Sequence, residues 1–251
     1  FPSTDSVLLP IAAGMAVALA HSSAITRNWH GRHHQVGRSW HVQTHLARIL
    51  RTFAANFFTY FFTSIDILIV NYFLPDESGY FAVVLKYTQI LLFATLSVTT
   101  VFIPSLSGAR GDPHLFTRKL WTLLGLVSAI TLAVIGVYAV LAAPTVDWFF
   151  GPQYASAKQY ILFDCLPYSL LILNFLLINV HIVLDNRRYL LVLPLHAVAL
   201  TALLIAFHQS LTLMLWIETG VFASMLVFQL LLLRGEVRRP GTITEPVLEN
   251  R

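Results

Sequence analysis

Residues 120–143 read LWTLLGLVSAITLAVIGVYAVLAA, without one charged side chain. A helix rises about 1.5 Å per residue, so some 20 apolar residues match a hydrocarbon core about 30 Å thick. Six further apolar runs occur, at roughly 6–25, 49–74, 79–106, 158–184, 189–207 and 211–233. Barrel strands would alternate apolar and polar residues over about ten positions, whereas these runs are continuously apolar. The chain is 57% hydrophobic and 11% charged, against about 25% charged for a soluble domain. The expected fold class is an all-α integral membrane protein with about seven transmembrane helices.

Basic residues test that reading. Of 16 Lys and Arg, 14 fall in alternate connections: around 27–51, 110–119, 187–188 and 234–251. Lys86 lies within a run and Lys158 at the edge of another connection. Such alternation follows the positive-inside rule, so the basic connections and the C-terminus are expected on the cytoplasmic side of a cell (inner or plasma) membrane. The sequence pI near 9.4 therefore reports topology, and no nucleic-acid partner is expected. The expected organisation is one helix at 1–25, a basic, His-rich cytoplasmic linker at 26–48, a six-helix lobe at 49–234 and a cytoplasmic tail at 235–251. Cys165 is the single cysteine and excludes an internal disulfide. The chain opens on Phe1 and shows no signal peptide, which points to a piece of a larger protein.

Charges inside the apolar runs are the candidates for function, because each costs roughly 2.5–3.5 kcal/mol at the centre of a bilayer by insertion scales. Asp66 lies about eight residues before the turn at 74–78, and Lys86 about eight after it. In antiparallel helices they share a depth roughly 12 Å below the turn, where they pair to fix the hairpin or face a watery cavity. Asn56, Thr59, Thr63 and Asp66 form one polar stripe, and Lys86, Gln89, Ser97 and Thr100 another; alternatively the hydroxyls bond their own helix backbone. Asp164, Asn174 and Glu218 complete the substrate or ion cavity candidates. Pro167 is expected to kink its helix, and His196 reads as a bundle histidine. HGRHH at 30–34, with His41 and His45, matches the spacing of an iron-binding histidine box. A di-iron site needs more histidines from separate helix pairs, so a solvated loop facing lipid headgroups fits better. Neither catalytic residue, metal nor cofactor is expected.

The ordered stretches SIDILIVNYFLPDESGYFAVVLKYTQIL, TTVFIPSLSGA and WFFGPQYASA resemble the oligosaccharide and polysaccharide flippases (Wzx-like) of the MOP superfamily. Asp66, the turn from Asp76 to Tyr80, Pro104, Phe150, Gly151 and Tyr154 carry the resemblance, which covers roughly 45–234. It implies a two-lobed transporter of twelve or more helices with alternating access, acting in O-antigen or lipopolysaccharide synthesis. The chain would then supply the last helix of the first lobe and the whole second lobe, with the remaining lobe or a partner subunit supplying the rest. The implied substrate is a lipid-linked oligosaccharide whose pyrophosphate suits a cation such as Lys86. A MATE-type cation or drug antiporter on the same fold, a histidine-box membrane enzyme and a seven-helix receptor are the alternatives.

Overall fold

The computed structural model describes the backbone of residues 42–237 and the side chains of 49–235. The run at 6–25, most of the linker with its histidine cluster, and the end of the tail lie outside these residues. The chain divides into two compact units, Phe1–Leu46 and Ala47–Arg251. The second is all helical among the described residues. The described elements are α1 (Val42–Phe62), α2 (Ile65–Phe73), α3 (Pro75–Gly108), α4 (Pro113–Phe149), a 3-10 turn (Pro152–Ala157), α5 (Lys158–Val183), α6 (Tyr189–Ala206) and α7 (Leu211–Val237). They supply six spans long and apolar enough to cross a membrane, with α1 and α2 together forming the first. The chain is an all-α integral membrane protein.

Local chemistry sets the boundaries. The run expected as one helix over 49–74 divides at Thr63 and Ser64. There the Thr63 hydroxyl bonds back to the carbonyls of Thr59 and Tyr60, and Ser64 leaves helical geometry at φ −135°. The LPDES stretch, expected as a turn, is mostly helix. Pro75 takes the first position of α3, where its missing N–H costs nothing, and Asp76 and Glu77 sit in the first turn, which favours anions. Asp112 caps α4 by accepting from the backbone of His114 and Leu115. At 34 and 37 residues, α3 and α4 run roughly 50 Å or more, longer than the hydrocarbon core, so they tilt or protrude.

The lobe is built around α5, which is 67% buried over its most apolar window where no other span exceeds 39%. It packs chiefly against α3 and α7, and also against α4. Buried Ile161, Leu171, Ile172, Phe175, Leu176 and Leu177 surround its axis, the all-round apolar pattern of a core helix. α5 stays helical across the expected kink site, Pro167. Phe53, Phe57, Trp121, Val140, Leu191 and Val198 face outward, where lipid replaces water. Trp148 and Phe149 stand exposed at the end of α4, as an interfacial aromatic girdle requires.

Candidate functional site

Three of the expected residues are buried at one depth inside the lobe. Asp66 opens α2, Asp164 lies six residues into α5, and Glu218 lies seven residues into α7. Counted at about 1.5 Å per residue, all three sit roughly 9–12 Å below the same end of the lobe. Their relative exposures are 2%, 0% and 2%. Glu218 lies in the field of Asp66 and Asp164, and Asp164 in that of Asp66. Asp66 Oδ1 accepts from the Ile67 backbone at 2.7 Å, and Thr88 on α3 donates to Asp164 Oδ2 at 3.0 Å. Asp164 Oδ1 and both oxygens of Glu218 have no partner. The Tyr168 side chain, one turn beyond Asp164 on α5, is buried, and its hydroxyl has no hydrogen-bond partner. Neither ion pair between described residues, Arg51–Asp185 or Lys158–Asp147, involves the cluster.

Lys86 does not join it. The matching depth of Asp66 and Lys86 suggested a pair, but the azimuth around α3 separates them. Lys86 points to the exposed face of α3, where Nζ donates to Gln89 Oε1 at 3.3 Å. Asn56 is likewise exposed on α1. The other members of the expected polar stripes return their hydroxyls to their own helices: Thr59 to Ala55, Thr63 to Tyr60, Ser97 to Phe93 and Thr100 to Leu96. Ser97 and Thr100 nevertheless lie exposed on the same side of α3 as Lys86, and Asn56 is exposed on α1.

Asn174 faces the core and not a cavity. Its amide donates to the carbonyls of Leu170 and Phe222, and its oxygen accepts from Gln229 at 2.7 Å, which ties α5 to α7. His196 is satisfied within the bundle, bonding the Val192 carbonyl and the Ser224 hydroxyl. At the opposite, basic end a cavity of about 350 Å³ is lined by Arg51, Ser107, Arg110, Asp185, Asn186 and Tyr189, with Arg51 bonded to Asp185.

Thr88 and Tyr168 were not singled out from the sequence. Tyr168 stands four residues after Asp164, on the same helix face, which is the signal that could have found it. Thr88 carries no such mark, since membrane helices use Thr freely and only packing brings it to α5.

The resemblance residues largely hold one corner of the lobe. Phe150 meets Tyr154 edge-on at 6.3 Å and Tyr87 at 6.4 Å, and Tyr80 stacks on Tyr160 at 6.0 Å. Gly79 leaves the Tyr154 ring at ordinary contact distance from the site of a Cβ. Gly151, at φ 91°, makes the turn from α4 into the 3-10 segment. These residues join the start of α3 to the end of α4.

Searches among curated proteins and among solved structures return no match. A family described as polysaccharide biosynthesis protein matches residues 23–159, more than half the chain. The match takes in α1 to α4 and the 3-10 turn, including Asp66, Lys86 and the corner built by Gly79, Tyr80, Phe150 and Tyr154. The chain belongs to the polysaccharide biosynthesis protein family.

Proposed function

We propose that the chain is the second lobe of a flippase that moves lipid-linked oligosaccharide across the membrane for cell-surface polysaccharide synthesis, with C-terminus cytoplasmic. The observation that carries this reading is Lys86. Its ammonium lies well inside a membrane-spanning helix on the lobe's exposed face, beside Gln89. Lipid against that face would leave a charge in hydrocarbon. Water and a facing lobe resolve the conflict, and they create a central cavity with a cation on its wall. A pyrophosphate near the lipid end of the substrate is the anion such a point charge attracts. Family membership supports a role in polysaccharide assembly. The reading is of transport and not catalysis.

The test is export of surface glycan by the complete transporter carrying Lys86→Ala, with protein levels matched by immunoblot. Export is expected to fall at least about tenfold, the consequence of losing roughly 1.4 kcal/mol or more of substrate interaction. Lys86→Arg is expected to retain most of it. Normal export by Lys86→Ala would sink the role given to this residue. Efflux of cationic drugs with no effect on glycan export would favour a MATE-type antiporter.

A further inference from the structure

The cavity of about 350 Å³ at the basic end has no part in the transport reading. Its volume falls within the range of small-molecule sites, about 300–1,000 Å³. Arg51 of α1, Ser107 and Arg110 at the end of α3, and Asn186 and Tyr189 where α5 turns into α6 contribute polar lining. Ile103, Ile182 and Val183 add apolar wall. The α5–α6 loop is ordered by its own bonds. Asp185 stands at φ 53°, a left-handed conformation that Asp tolerates, and binds Arg51, which fixes that guanidinium in the lining. Asn186, 6% exposed, meets His181 Nδ1 at 3.1 Å through its amide and accepts from the Arg188 backbone at 3.0 Å. The His181 ring stacks on buried Tyr189 at 5.8 Å.

Charge and depth define the ligand. Against an anion stand Asp185 and the C-terminal ends of α3 and α5, each end worth about half a negative charge. In its favour stand Arg51, Arg110, the N-terminal end of α6, and Arg187 and Arg188, which follow Asn186 directly. The positive side outweighs the negative, and guanidinium forks match the oxygens of a phosphate. The cavity lies where α3 and α5 end and α6 begins, and Arg51 is the third residue of the span Ile49–Phe73. That is headgroup depth, where basic pockets between membrane helices hold anionic lipids. We propose that this cavity binds an anionic phosphate ester, the headgroup of an anionic phospholipid, with Arg51 and Arg110 on the phosphate. The apolar wall suits the first carbons of the lipid, which a soluble phosphate lacks. Bound there, the lipid ties α1 to the end of α3 and to the α5–α6 loop. The cavity stands about 30 Å from Lys86, counted along α3 from residue 86 to 107, so this site and the flippase reading fail or survive separately.

The experiment follows thermal unfolding of the purified chain in detergent at constant ionic strength. The probes are short-chain phosphatidylglycerol, phosphatidylcholine of the same chain length, and glycerol phosphate. A ligand bound only by the folded chain shifts the folding equilibrium about elevenfold at ten times its dissociation constant. Phosphatidylglycerol is expected to do so saturably, phosphatidylcholine at the same mole fraction is not, and glycerol phosphate is expected to fall short of the lipid. Arg110→Ala is expected to weaken the affinity for phosphatidylglycerol at least about tenfold, the effect of losing one charged hydrogen bond. Arg110→Lys should keep part of it. Arg118, exposed at the same end but outside the lining, is the control, and Arg118→Ala should bind as the wild type does. Glycerol phosphate as effective as phosphatidylglycerol identifies a soluble phosphate ester as the source and supports the phosphate site. A chain that no probe stabilises saturably overturns the proposal, as does an equal shift with phosphatidylcholine. Unchanged affinity in Arg110→Ala, or an equal loss in Arg118→Ala, overturns it too. Should Arg110→Ala fail to fold, Arg110→Gln serves as the second variant, and the wild-type arms remain decisive alone.

Discussion

Asn174 shows how far one residue's surroundings decide its meaning. An amide inside an apolar run reads equally as a cavity ligand or as packing. Here its donors and its acceptor are all taken by Leu170, Phe222 and Gln229. Asn174→Ala strands the Gln229 amide in the core, and each orphaned buried group costs about 1–3 kcal/mol. The variant is expected to lower the thermal midpoint in detergent by several degrees. Asn56→Ala, an exposed site, should leave that midpoint unchanged. Gly151 is a second residue-scale case. At φ 91° and ψ 167° it occupies a region essentially restricted to glycine, and a Cβ there would meet Gln153 Oε1 at 2.6 Å. Gly151→Ala is expected to cost roughly 1–3 kcal/mol, read as loss of folded protein in a thermal scan.

At the scale of elements, the apolar runs foretell the helices well and their ends less well. The helices expected at 158–184, 189–207 and 211–233 form at Lys158–Val183, Tyr189–Ala206 and Leu211–Val237. The run at 120–143 grows to Pro113–Phe149 because caps, not hydropathy, end a helix: Asp112 starts it, and Gly151 turns the chain after it. Asp112→Ala removes a cap that accepts from two backbone amides, at a cost of about 0.5–2 kcal/mol. Helical circular dichroism on heating should show a lower midpoint, while Asp112→Asn or Asp112→Ser should restore most of it. The division of the first span at Thr63–Ser64 is not visible in hydropathy, since both residues are tolerated inside membrane helices. It lies where Thr63 bonds its own backbone and Ser64 leaves helical geometry. That break lets α2 carry Asp66 into the bundle as a separate piece.

For the whole molecule, burial radiates from α5; two of the three carboxyls lie on α5 and α7, which pack together, and the third on α2, which packs chiefly on α3. Replacing a buried, uncompensated acid by its neutral isostere removes a desolvation cost while keeping shape. Asp164→Asn is therefore expected to fold, and to hold or raise the thermal midpoint. Asp164→Lys, which exchanges one buried charge for another of greater length, is expected to abolish folded protein in a monodispersity assay. By itself the sequence determined the membrane environment, the antiparallel alternation of helices and the depth of every intramembrane charge. Run length, basic-residue placement and helical rise are one-dimensional quantities, read along the chain. Only the tertiary structure decided which charges meet. Two residues at equal depth touch or diverge according to their azimuth, and azimuth is set by which faces of neighbouring helices pack. Asp66 is buried while Lys86 turns outward, because packing against α5 fixes the rotation of α3 about its axis.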